Sequence, residues 1–198
     1  MSMRGIIKLK VVVLIAALMI LAACQTEHEY AGTLLSTPIP APSIELESAE
    51  GPVSLQDFRG HYTYVYFGYT FCPDICPTTL ATLKSVKEEL GDDGSELEVV
   101  MISVDPERDT AEVLAQYMSY FDDSFVGLTG DKSLVDEVGA PFGLYYSKHE
   151  GSEATGYLVD HSAYVYLLDR DSNAVAVYSH GTTADGFAAD LKYFLKQE

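Results

Sequence analysis

The segment Tyr62–Phe67, Tyr-Thr-Tyr-Val-Tyr-Phe, constrains the fold more than any other stretch of the chain. It consists of aromatic and β-branched residues without an apolar–polar alternation, which fits a buried strand. Leu97–Val104 (Leu-Glu-Val-Val-Met-Ile-Ser-Val) is a second such strand. Between them, Pro77–Leu90 carries Leu80, Leu83, Val86 and Leu90 at helical spacing. Pro77 suits a first helical turn, where no backbone N–H is needed, and Gly91 suits the stop. Two buried strands joined by a helix imply a parallel crossover.

The flanking segments complete the plan. Ser43–Leu46 and Val53–Leu55 read as short strands of an N-terminal β-hairpin around Glu50-Gly51-Pro52. Thr110 can cap a helix running to Tyr120, Phe125–Leu128 is a short strand, and Ser133–Val138 is a brief helix. Ser162–Leu168 and Ala174–Tyr178 form a hairpin across Asp169–Asn173, and Thr183–Leu195 is a terminal helix. The expected class is α/β, with a central mixed sheet and flanking helices. A βαβ unit followed by a ββα unit is the plan of a thioredoxin-like fold. Chemistry in such a sheet sits where the first strand meets its helix, at the carboxyl edge. Here that loop is Phe71-Cys72-Pro73-Asp74-Ile75-Cys76-Pro77.

The two thiols are four residues apart at a helix N-terminus, where the dipole and unpaired amides favour thiolate. The spacing places them on one face. Such a pair serves either as a redox disulfide or as a soft-metal clamp. A merely stapling disulfide is disfavoured, because so short a loop yields little chain entropy. His161, in Val159-Asp160-His161-Ser162, precedes a strand expected to begin at the same sheet edge. Redox thioredoxins place a cis-proline there and separate their cysteines by two residues. This chain has three residues between them and no proline after Pro141. Both departures point to metal binding by Cys72, Cys76 and His161. Thiolate favours Cu(I) or Zn(II), and imidazole accepts either metal. A structural zinc would need a fourth ligand; His61, His149 and His180 are candidates, but each reads as a solvated loop residue.

The N-terminus reads as an address. Arg4, Lys8 and Lys10 precede the apolar run Val11–Ala23. At ~1.5 Å per residue that run spans roughly 20 Å, against ~30 Å for a hydrocarbon core. It therefore fits a signal peptide covering residues 1–23, with an uncleaved membrane anchor as the alternative. Leu21-Ala22-Ala23-Cys24 resembles a bacterial lipobox, which implies lipidation of Cys24. Residues 24–42 are polar, with Pro38, Pro40 and Pro42, and read as a flexible membrane tether. The domain is then 43–198. With 12 basic and 30 acidic residues the formal charge is −18, which excludes binding to phosphate backbones.

Tyr66-Phe67-Gly68-Tyr69-Thr70-Phe71-Cys72-Pro73-Asp74-Ile75-Cys76-Pro77, then Ser103–Thr110 (Ser-Val-Asp-Pro-Glu-Arg-Asp-Thr), then Val159–Ser162, resemble the signatures of the Sco/SenC family. The resemblance implies a membrane-tethered, thioredoxin-like copper chaperone of respiratory oxidase assembly. It implies copper as cargo on Cys72, Cys76 and His161, and the dinuclear copper site of cytochrome c oxidase subunit II as acceptor. Asp74 and Asp160 match acidic positions of the motifs; Asp105 and Asp109 read as turn or capping residues. An extracytoplasmic, lipid-anchored monomer is expected. The competing reading is a thiol–disulfide reductase that uses Cys72 and Cys76 as a redox pair to keep the acceptor cysteines reduced. A thiol peroxidase of the glutathione-peroxidase pattern would want a tryptophan, and the chain has none.

Overall fold

In a computed structural model, which describes residues 28–152 and 156–197, the unbroken apolar run becomes the central strand. Tyr62–Gly68 (β4) is buried along its whole length. It pairs in parallel with Leu97–Ser103 (β5) and antiparallel with Val165–Leu168 (β9). Val126–Leu128 (β6) lies outside β5, and Asn173–Tyr178 (β10) lies outside β9. Helix Ile75–Leu90 (α1) supplies the crossover from β4 to β5, and Ala184–Leu195 (α4) packs beside it. One face of β4 meets this pair: the Tyr64 ring stands edge-on to Phe187 of α4 at 5.2 Å. The other face carries Phe67 against Phe142 at 5.8 Å. This mixed sheet with flanking helices is the thioredoxin-like arrangement.

The N-terminal hairpin is present as Leu46–Ser48 (β2) and Gly51–Val53 (β3). Helix Ala111–Ser119 (α2) starts at Thr110, whose side chain accepts a hydrogen bond from the Val113 amide. Lys132–Gly139 (α3) follows β6, and α4 is capped in the same way by Thr183. Each cap satisfies an amide that the first helical turn leaves without a partner.

Two expectations fail. Residues 24–42 are not a free tether throughout, because Thr33–Pro40 (β1) is a strand. It pairs antiparallel with β10, giving the sheet order β1-β10-β9-β4-β5-β6. Most of its side chains are exposed, so no apolar period marks it. Its prolines are tolerated because an edge strand has one row of amides without ladder partners. Just before it, buried Asp190 accepts hydrogen bonds from the amides of Ala31 and Gly32 and lies 2.7 Å from His28 Nε2. The folded domain therefore begins well before residue 43. Cys24 and the expected signal segment lie outside the described residues.

The second failure concerns the segment around His161. Tyr146–Glu150 (β7) and Tyr157–His161 (β8) form a separate two-stranded sheet. His161 thus ends β8 and does not open the strand that follows, which starts only at Val165. Tyr-Ser-Lys-His-Glu is largely exposed, so it carries no buried-strand signature. Among the described residues no helix is long and apolar enough to cross a membrane.

Candidate metal centre

The central strand ends at Gly68, and the chain turns through Tyr69-Thr70-Phe71 to Cys72. Buried Asp109 holds this turn from below. It accepts hydrogen bonds from the Thr70 amide at 3.0 Å, the Thr70 hydroxyl at 2.5 Å and the Ser103 hydroxyl at 2.7 Å. Burial pushes its carboxyl above the usual range, and those bonds oppose the push. Asp109 therefore braces the cysteine loop, a larger role than that of a turn or capping residue. Asp74 stands at the helix N-cap without a side-chain cap bond.

Cys72 lies in the loop, and Cys76 is the second residue of α1, because the helix begins at Ile75, two residues before Pro77. The pair is therefore not stacked on one helical face. Instead the Cys76 amide donates to Cys72 Sγ at 3.4 Å, so the Cys72 sulfur acts as a helix cap. The Cys72 thiol is pulled down to about 3, chiefly by the hydrogen bond from the Cys76 thiol, against the opposing effect of burial. The amides of Asp74 and Cys76 add to the pull. Cys76 is fully enclosed, and burial pushes its thiol up. Both cysteines are free, so the metal-free site is one thiolate beside one thiol.

His161 completes the group. Its Nε2 lies 3.5 Å from Cys76 Sγ, and the ligand atoms of Cys72, Cys76 and His161 all lie within 4.8 Å of one another. His161 Nδ1 is 3.1 Å from the Ser162 carbonyl oxygen. A carbonyl only accepts, so the proton sits on Nδ1 and the Nε2 lone pair is free for a metal. Two sulfurs and one imidazole nitrogen at this spacing suit a soft ion such as Cu(I). Among the described residues the group contains no fourth member. His149 Nε2 instead pairs with exposed Asp160 at 3.1 Å, on the rim of the cleft that holds Cys72 and His161.

Three neighbours escaped the sequence reading. The Tyr66 hydroxyl donates to Cys76 Sγ at 3.3 Å, and burial keeps that hydroxyl protonated. The signal was available, since a tyrosine in a buried strand needs a partner for its hydroxyl. Gly68 lets that sulfur approach, because a Cβ there would lie 3.1 Å from Cys76 Sγ and 2.6 Å from the Tyr66 ring. Tyr69 stands edge-on to the His161 ring at 5.9 Å.

Residues 42–196 match the SCO1/SenC family model. An SCO2-like protein of Rickettsia prowazekii is 37% identical over 130 residues, which is 65% of this chain and 63% of that protein's length. The solution structure of apo Sco1 from Thermus thermophilus superposes with a TM-score of 0.77 at 37% identity, covering 85% of this chain and 99% of that one. The crystal structure of Arabidopsis thaliana ScoI with copper bound gives a TM-score of 0.73 at 32% identity, covering 82% and 98%. With motifs, fold and site geometry in agreement, the chain belongs to the SCO1/SenC family.

Proposed function

We propose that the protein is a copper metallochaperone that binds one copper ion through Cys72, Cys76 and His161. It passes the ion to the dinuclear copper site of cytochrome c oxidase subunit II during oxidase assembly. The observation that carries this reading is the convergence of two sulfurs and one proton-free imidazole nitrogen within 4.8 Å. The copper-bound structure of the Arabidopsis thaliana relative supports copper as the cargo. Lipidation of Cys24 would hold the domain outside the cytoplasm on a membrane, near a membrane-bound acceptor, and so raise the effective concentration for a transient encounter.

The burial gradient across the three donors suggests the order of release. His161 and Cys72 are partly exposed, whereas Cys76 is enclosed. An incoming ligand replaces the neutral imidazole first and the Cys72 thiolate next, and Cys76 lets go last. The ion thus stays bound to at least one sulfur until the acceptor holds it.

Metal analysis of the protein and its variants tests the assignment. Replacing either cysteine should abolish tight Cu(I) binding. His161→Ala should keep Cu(I) on two thiolates, more weakly, and should lose the Cu(II) spectrum. An unchanged Cu(II) spectrum in that variant would remove His161 from the ligand set. A second reading, thiol–disulfide reductase, is favoured by one feature: the partly exposed Cys72 sulfur capped by the Cys76 amide, which is poised as an attacking thiolate.

A further inference from the structure

The hairpin that carries His161 shares no ladder with the main sheet. A two-stranded sheet alone is marginal in water, so its position depends on the side chains that dock it. One anchor is Tyr146, the residue paired with His161 across the ladder, whose hydroxyl donates to Asp136 of α3 at 2.5 Å. The more deeply buried anchor is Arg108, within Ser103–Thr110. Arg108 Nε donates to Asp105 Oδ2, and its Nη1 donates to the Tyr157 carbonyl at 3.0 Å. The Tyr157 hydroxyl donates to Asp105 Oδ1 at 2.6 Å, which closes a ring of three residues around a fully buried carboxylate. The guanidinium carbon lies 3.7 Å from the Tyr157 ring centre and 4.5 Å from that of Phe71, the residue before Cys72. Its Nη2 is buried, has no hydrogen-bond partner and lies among these rings. Farther along the hairpin, Lys148 pairs with Glu107 at 2.6 Å, but both are exposed, and such rim pairs contribute little.

Tyr157 and His161 are the two ends of β8 and, four residues apart, share one face of it. Between them, the buried Val159 donates its amide to the Tyr69 hydroxyl at 3.3 Å. A clamp on the first residue of this short strand therefore acts with the Tyr146 anchor to set where its last residue lies. The two sulfurs belong to α1 and its preceding loop, which β4 and the Asp109 hydrogen bonds to Thr70 hold.

We propose that Arg108, acting with Asp105 and Tyr157, is a positioning residue that sets His161 against the two sulfurs. It thereby governs the hold on Cu(II) more than the hold on Cu(I), which rests mainly on the thiolates. The inference rests on the copper assignment above and adds a determinant of oxidation-state preference to it. Lysine cannot replace Arg108, because it has neither the donor fork nor the planar face that packs on the Tyr157 and Phe71 rings.

The test uses the full chain with Arg108→Lys and, as a milder change, Tyr157→Phe. Cu(II) affinity should fall about tenfold or more in Arg108→Lys, and less in Tyr157→Phe, with Cu(I) affinity falling by a clearly smaller factor in each. In the metal-free protein, nuclear Overhauser contacts from the His161 ring to the Tyr66 and Tyr69 rings should weaken in the same order. Equal losses of Cu(I) and Cu(II), or unchanged ring contacts in Arg108→Lys, would overturn the clamp. A wild-type protein that bound no copper would sink the functional reading, while the metal-free ring contacts would still decide the clamp.

Discussion

Cys72 and Cys76 are chemically unequal although the motif repeats one residue type. The Cys72 sulfur receives the Cys76 amide, and its thiol is drawn down to about 3; burial pushes the Cys76 thiol up. At neutral pH the metal-free pair therefore keeps one proton, on Cys76. Copper binding to both sulfurs should release about one proton per ion, not two. Calorimetry in buffers of different ionisation enthalpy reads that number, and a release of two would show both thiols protonated. The sign of the pH dependence follows as well. The folded value for Cys72 lies below its ordinary 9.0, so its ionisation contributes fully above 9.0 and ever less as pH falls toward about 3. The stability gap between wild type and Cys72→Ser should thus narrow on acidification from about pH 8 to about pH 4. Denaturant titrations at the two pH values check this, and a widening gap would reverse the assignment. The cysteines and His161 were legible because their spacing and flanking elements carry the chemistry. Arg108 was not, since an arginine in a polar turn looks the same whether it is solvated or enclosed by aromatic rings.

At the level of elements, the buried strands and capped helices were readable, and the exposed strands were not. β4 and β5 are apolar without interruption, while β1 and β7 are mostly exposed and present no period. What holds β1 is its ladder with β10 and the buried carboxylate of Asp190 at its entrance. If this segment were a loose tether, removing it would leave stability unchanged. Instead, Asp190→Ala, which strands the amides of Ala31 and Gly32, should cost about 1–3 kcal/mol, and deleting the chain through Pro40 should cost more. Chemical denaturation measures both, and an unchanged midpoint for the truncation would return β1 to the tether.

For the whole molecule, the question is whether delivery or disulfide exchange dominates. A reductase needs only the two thiols, whereas delivery also uses the imidazole as a replaceable ligand. In cells lacking the native protein, His161→Ala should fail to restore oxidase activity at limiting copper and should recover with added copper. The double cysteine variant should fail under both conditions. Full rescue by His161→Ala at limiting copper would favour the reductase. The formal charge of −18 makes a basic acceptor face the better electrostatic match, so added salt should slow transfer.

The sequence by itself determined the parallel core, the cysteine loop at the start of a helix and the capping threonines. Each of these depends on periodicity or on chemistry within a few neighbouring residues. Only the tertiary structure decided that β1 belongs to the sheet and that the hairpin is separate from it. It also decided that Asp105, Arg108 and Tyr157 meet. Those arrangements join segments far apart in the chain, 162 residues for His28 with Asp190 and 52 for Tyr157 with Asp105. The energy that holds them comes from burying polar groups against specific partners, and no local pattern of residue types records which partner a polar group finds.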